Sequence, residues 1–197
     1  MTALRSLCVF CGSAPGGDPR FMAQARLLGT RLAEAGVTLV FGAGNVGLMG
    51  GVALAALEAG GEVVGVIPEH LTRVETPDAE RMELHVVGSM HERKRLMFDR
   101  SDAVCILPGG IGTLDETFEI LTWRQLGLHD RPVILVNVAG YWDGLVALVD
   151  RVVSDGFAKP HARDLFTLVD DVEAVLPAVR AELAAPRHRE EARIERF

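Results

Sequence analysis

Cys105-Ile106-Leu107-Pro108-Gly109-Gly110-Ile111-Gly112-Thr113-Leu114-Asp115-Glu116 is an apolar strand that runs into three glycines within four positions and then opens a helix carrying acids. A strand, a glycine loop and a helix in that order form the repeating unit of a parallel α/β sheet. The loop also reads as an anion site. Gly109, Gly110 and Gly112 permit positive φ and a close approach of backbone N–H groups to a ligand. A helix start near Thr113 adds unpaired N–H donors and the positive end of the helix dipole. The plainer reading is a tight turn with no ligand.

The same unit recurs along the chain. Strand-like apolar runs at residues 6–10, 37–41, 63–67, 84–87, 103–107, 132–136 and 165–169 alternate with helical patterns at 19–35, 48–59, 89–100, 113–126, 142–154 and 171–184. This alternation predicts a doubly wound parallel sheet of Rossmann-like α/β type. Residues 1–185 are expected to form one domain, and the Arg- and Glu-rich stretch 186–197 a frayed tail. In such sheets ligands bind outside the carboxyl ends of the strands. Three loops fall on that edge: Gly12-Ser13, Gly42-Ala43-Gly44-Asn45-Val46-Gly47 and the loop after Leu107.

By spacing, the second loop is a G-x-G-x-x-G, and Glu69 stands near where a ribose-binding acid is expected. It follows the second strand rather than the first, so an NAD-binding Rossmann protein is the lesser alternative. A net charge of −7 argues against a reader of nucleic-acid backbones and favours a small nucleotide. No run resembles a signal peptide or a membrane span, which predicts a cytoplasmic protein without membrane contact. Three cysteines form no disulfide framework, and Cys8 and Cys11, three apart on a strand, point to opposite faces. The six histidines lack metal-ligand spacing, so neither a metal nor another cofactor is expected.

On a helix, Met90, Arg93, Lys94 and Met97 share one face. Two cations among methionines either snorkel to water or aim at a phosphate or carboxylate. Glu116 also has two readings. Thr113-x-x-Glu116 fits a capping box, yet a carboxylate beside an anion loop is costly unless it does chemistry.

Taken together, Cys8-Val9-Phe10-Cys11-Gly12-Ser13, the Gly42-to-Gly50 loop, Met90-His91-x-Arg93-Lys94 and Pro108-Gly109-Gly110-x-Gly112-Thr113-x-x-Glu116 resemble the LONELY GUY (LOG) family. Its members are cytokinin-activating phosphoribohydrolases long mislabelled as lysine decarboxylases. The resemblance implies hydrolysis of the N-glycosidic bond of N6-substituted adenosine 5′-monophosphates, with plain AMP a further candidate, and a homodimer. It assigns Arg93 and Glu116 to catalysis. Lys94, Gly109, Gly110, Ile111, Gly112, Thr113, Leu114, Asp115, Glu75 and Thr122 become substrate contacts. Ser13, Gly42, Gly44, Gly47, Met49, Met90 and Pro108, in the same motifs, complete the candidate site. One departure is Ala43, where the family has a third glycine, and its methyl group is expected to narrow the nucleotide pocket.

Two other functions compete with this reading. A pyridoxal-dependent decarboxylase needs a Schiff-base lysine, and of Lys94 and Lys159 only Lys94 is plausible, in a motif better explained by anion binding. A non-catalytic nucleotide carrier would keep the loops without needing the acid.

Overall fold

The computed structural model describes residues 3–72 and 79–185. Within them seven parallel strands form one sheet: β1 (Ser6–Phe10), β2 (Thr38–Phe41), β3 (Val63–Pro68), β4 (Glu83–Val87), β5 (Ala103–Ile106), β6 (Val133–Val136) and β7 (Thr167–Val169). Their spatial order is β4-β3-β2-β1-β5-β6-β7. The connecting helices are α1 (Pro19–Glu34), α2 (Gly47–Glu58), α3 (Met90–Asp99), α4 (Ile111–Gln125), α5 (Asp143–Ser154) and α6 (Val175–Ala184).

The strands are apolar at nearly every position because both faces of the sheet are covered, as parallel crossovers require. Alternate side chains enter two separate cores. Leu7, Val9, Leu39, Phe41, Cys105, Ile134 and Val136 pack with Leu28 and Leu32 of α1, Val52 of α2 and Val179 of α6. Cys8, Phe10, Val40, Val104, Ile106 and Leu135 pack on the other face with Met97 of α3, Ile120 of α4 and Leu145 of α5. Each fully buried aliphatic side chain contributes on the order of 1.5–3 kcal/mol, so the sheet is the rigid part on which the loops are mounted. Cys8 and Cys11 fall in opposite cores, as expected of strand positions three apart. The chain winds from β1 out to β4 and then returns to β5 on the other side of β1. The β1/β5 boundary is therefore the topological switch point, where such sheets open a crevice.

Helix starts show what local sequence can and cannot specify. Asp18 caps α1 by accepting from Arg20 N at 2.9 Å, with Pro19 in the first turn. Ser89 caps α3, accepting from Glu92 N at 3.1 Å, while Glu92 reaches back to Gly88 N at 2.7 Å. The similar pattern Thr113-x-x-Glu116 does not cap α4. That helix starts at Ile111, two residues before the expected position, and its N-cap is Gly110, which has no side chain to offer. The final strand also begins later than expected, because Pro160–Leu165 forms 3-10 turns. Another such turn, Val172–Ala174, precedes α6. The expected tail 186–197 and the candidate residue Glu75 lie outside the described residues.

Candidate active site

The order β2-β1-β5 brings three strand ends side by side, and backbone contacts lock their loops together. Gly12 N donates to Pro108 O at 3.0 Å, and Gly12 O accepts from Leu48 N and Met49 N at 3.0 and 3.3 Å. Glycine is required here mainly for proximity. A Cβ on Gly47 would lie 2.3 Å from the Ser13 carbonyl carbon, and one on Gly109 would lie 2.1 Å from Thr113 Oγ1. Gly47 adopts φ +60°, but Gly109, Gly110 and Gly112 do not adopt positive φ, so close approach rather than handedness explains that loop. Gly110 and Gly112 are different again. A Cβ on either would meet no atom within 4 Å, so no packing demands a glycine, and its effect is to leave the start of α4 open. Ser13, Gly110, Ile111 and Gly112 are exposed there, whereas Pro108 and Thr113 are buried beneath them.

Arg93 is only 6% exposed. Its Nη2 donates to Gly42 O at 2.6 Å, and its Nη1 and Nη2 lie 3.8 and 3.9 Å from the sulfurs of Met90 and Met49. Gly42 makes this possible, since a Cβ on it would sit 1.7 Å from Nη2. The buried Nε has no hydrogen-bond partner among the described residues. A buried guanidinium N–H left unpaired is costly, so Nε remains a donor able to take a ligand oxygen.

Lys94, equally buried, behaves differently from its neighbour. Its Nζ lies 2.9 Å from both Asp115 Oδ2 and Glu119 Oε2, tying α3 to α4. The Asp115 contact is a hydrogen bond, whereas Glu119 Oε2 is off the hydrogen-bond direction. Burial works against the ammonium charge, but Glu119 and Asp115 outweigh it and hold the lysine pKa above its ordinary value. Two carboxylates already neutralise this cation, so the geometry makes Lys94 a strut rather than a free anion ligand. It also fits poorly as a Schiff-base lysine, which must lose its proton to react.

Glu116 projects from α4, half-buried, and makes no hydrogen bond or ion pair among the described residues. Burial is the chief influence and pushes its carboxyl up to about 7; Arg93 and Lys94 pull the other way, while Asp115 and Glu119 add to the rise. With Gly110 as N-cap, the capping-box role is gone. What remains is an unpaired acid in the field of a buried arginine, close to an open helix start.

Other candidate residues separate by position. Met49 and Met90 flank Arg93, and Leu114 lies half-buried on α4. Gly44 is buried in the β2 loop, beside Ala43 at φ +60°. Ala43 is only 1% exposed, and its methyl lies 2.9 Å from where a Cβ on Gly65 would be, so β3 supplies the room for it. Thr122 is eleven residues beyond Ile111, roughly 16 Å along the helix axis at 1.5 Å per residue. It is exposed, with its hydroxyl returned to Phe118 O at 2.7 Å, and the structure does not bring it to the loops of its own chain. The G-x-G-x-x-G reading loses its physical basis, because Arg93 and Ser13 occupy the space that Gly42 and Gly47 leave open. A cavity of about 620 Å³ lies at the opposite, amino edge of the sheet, among Arg5, Glu62, Glu83 and Arg100, away from all these groups. Among the described residues no cluster of three His, Cys, Asp or Glu is placed to hold a metal ion. Two participants were not visible in the motifs: Glu119, which pairs with Lys94, and Tyr141, whose hydroxyl donates to Gly109 O.

Residues 49–179 match a protein family described as possible lysine decarboxylase. The chain is 48% identical over 172 residues to a probable cytokinin riboside 5′-monophosphate phosphoribohydrolase, LOGL9, of Oryza sativa subsp. japonica, covering 87% of this chain and 76% of that protein. It is 42% identical over 180 residues to the cytokinin riboside 5′-monophosphate phosphoribohydrolase of Rhodococcoides fascians, covering 90% of each. The chain belongs to the LOG family. A LOG protein of Arabidopsis thaliana, LOG1, is 40% identical over 93% of this chain and 85% of its own length. Solved structures support the Rossmann-like fold. The molybdenum cofactor binding protein of Rippkaea orientalis superposes with a TM-score of 0.70 at 23% identity, covering 93% of this chain and 99% of that one. The molybdenum cofactor carrier protein of Chlamydomonas reinhardtii gives 0.68 at 22% identity, over 93% of this chain and all of that one. The decarboxylase description of this LOG family chain sits poorly with an ammonium held by two carboxylates as its best lysine.

Proposed function

We propose that this LOG family chain hydrolyses the N-glycosidic bond of N6-substituted adenosine 5′-monophosphates, releasing the free base and ribose 5-phosphate. The observation that carries the reading is Glu116, an unpaired acid with a carboxyl near 7, in the field of a buried Arg93 whose Nε lacks a partner. The names of relatives 40–48% identical support the substrate class. As the C1′–N9 bond breaks, positive charge develops on the ribosyl group, and a nearby carboxylate stabilises it and takes a proton from the attacking water. The water hydroxyl goes to C1′, and the proton taken by the carboxylate passes through solvent to N9 of the departing base. Arg93 would hold the ribose or the glutamate through Nε, the open start of α4 would receive the 5′-phosphate, and Met49 and Met90 would line the site beside them. A carrier would have no use for an acid poised near neutrality.

The same reading extends to assembly and location. Thr122, a substrate contact by family resemblance, lies too far along α4 to serve its own chain, but it shares an outward stripe with Ile111, Phe118 and Leu126, all exposed. A homodimer in which this stripe faces a second copy would bring Thr122 to the partner's site. The described residues contain no helix long and apolar enough to cross a membrane, and the three buried cysteines are free, which fits a reducing cytoplasm.

The test is direct. Purified protein is incubated with N6-isopentenyladenosine 5′-monophosphate and with AMP, and ribose 5-phosphate and free base are assayed with and without chelator. Release of both products, unaffected by chelator and needing no pyridoxal phosphate, is expected. Stoichiometric binding without release would establish the carrier instead.

A further inference from the structure

A loop outside the glycine motifs also reaches the anion site. After β6 the chain turns through 137–142, and two successive residues there are left-handed: Ala139 at φ +57° and Gly140 at φ +74°. An alanine adopts that conformation only where its surroundings compel it. Asn137 does so from both sides, accepting from Trp142 N at 2.7 Å and donating to Asp143 Oδ1 at 2.8 Å, while its own N–H donates to Val169 O at 2.7 Å. Trp142, 1% exposed, anchors the turn in the core. What this constrained turn presents is Tyr141, the one tyrosine in the chain. Its ring meets Phe21 edge-on at 5.8 Å and Trp142 at 4.9 Å, and its hydroxyl donates to the Gly109 carbonyl.

We propose that Tyr141 is a positioning residue that sets the orientation of the phosphate-binding peptide. In a trans peptide the carbonyl and the following N–H point in opposite directions. Tying Gly109 O to Tyr141 therefore turns the Gly110 N–H away from the tyrosine, toward the open start of α4, where no atom lies within 4 Å of a Cβ built on Gly110. That N–H makes no hydrogen bond among the described residues. A peptide between two glycines rotates easily, so an untethered loop would spend much of its time with this donor turned elsewhere. The hydroxyl removes that freedom before the ligand arrives, and preorganisation of this kind raises affinity without adding a contact to the ligand. This inference rests on the proposed role of Gly109 to Thr113 as the phosphate loop.

The test is Tyr141→Phe, which keeps the ring against Phe21 and Trp142 and removes only the hydroxyl. Binding of ribose 5-phosphate and of adenosine to wild type and variant is measured by calorimetry, with KM and kcat for the nucleoside monophosphate alongside. Ribose 5-phosphate should bind about three- to tenfold more weakly to the variant, the range expected for one neutral hydrogen bond, with adenosine affinity unchanged. The loss should fall on KM more than on kcat. Equal ribose 5-phosphate affinity in the two proteins overturns the proposal, as does an equal weakening of both ligands, which would mean general loosening. The binding comparison needs no turnover, so a wild type that cleaves no nucleoside monophosphate would sink the hydrolase reading and leave this result standing. A wild type that binds no ribose 5-phosphate overturns the phosphate-loop role and this proposal with it, whereas product release alone decides the hydrolase reading.

Discussion

Glu116 sits where two protonation states are close in free energy at neutral pH, and two measurable consequences follow. Its carboxyl is raised from the ordinary value of 4.5 to about 7, with burial the leading cause. A raised acid costs the fold nothing below about pH 4.5, where folded and unfolded chains are both protonated there. Between that pH and about 7 the unfolded chain releases the proton while the native one holds it, so stability falls as pH rises and the loss is complete above 7. The cost is at most roughly 3 kcal/mol, and less after screening of a half-exposed group. Glu116→Gln should therefore melt higher than wild type at pH 8 and at the same temperature at pH 4, as followed by circular dichroism. Its turnover should fall by about a hundredfold or more, the usual contribution of a general base. In the wild type, kcat/KM should climb with pH to a plateau just above 7, and the variant should lose that limb. Near wild-type turnover in the variant would return Glu116 to a structural role.

At the scale of elements, the proposed catalysis depends on how helix ends meet loops. Arg93 on α3 reaches β2's loop only because Gly42 has no Cβ, and Gly42 is not in the left-handed region, so alanine fits its backbone but not its neighbour. Gly42→Ala should leave secondary structure intact, displace the guanidinium and lower kcat/KM by at least about tenfold, the value of one charge-assisted hydrogen bond. A variant with unchanged kinetics would show that the Arg93–Gly42 contact does not matter to the reaction. The open start of α4 carries a second expectation. A nucleoside without its phosphate leaves those N–H groups unpaired, and two or three lost contacts amount to on the order of a hundredfold in kcat/KM, with water replacing part of the loss. Comparing N6-isopentenyladenosine with its 5′-monophosphate decides this, and equal values would remove the phosphate anchor.

For the molecule as a whole, the exposed stripe on α4 predicts its own experiment: Phe118→Asp, at a side chain 42% exposed, should convert a dimer to a monomer in sedimentation and abolish most activity. A stable, active dimer in that variant would move the interface elsewhere. The fold itself was legible from the amino-acid order. Both faces of a parallel sheet are buried, so each strand appears as a local apolar run, and the glycine loops mark strand ends whatever lies elsewhere. The family resemblance likewise singled out Arg93, Glu116 and the loop Gly109 to Thr113 as candidates. Local pattern misled where two physical solutions share one spelling. Ser89-x-x-Glu92 caps a helix and Thr113-x-x-Glu116 does not, because α4 starts two residues early, with Gly110 as its N-cap, and Thr113 lies inside it, packed on Gly109. What only the tertiary structure decided are contacts between residues far apart in the chain. Arg93 meets Gly42 across 51 positions, Lys94 meets Asp115 across 21, and Tyr141 meets Gly109 across 32. Those pairings follow from the placement of β2, β1, β5 and β6 side by side, a non-local arrangement that sets which cation is neutralised, which keeps a free donor and which peptide the tyrosine hydroxyl holds.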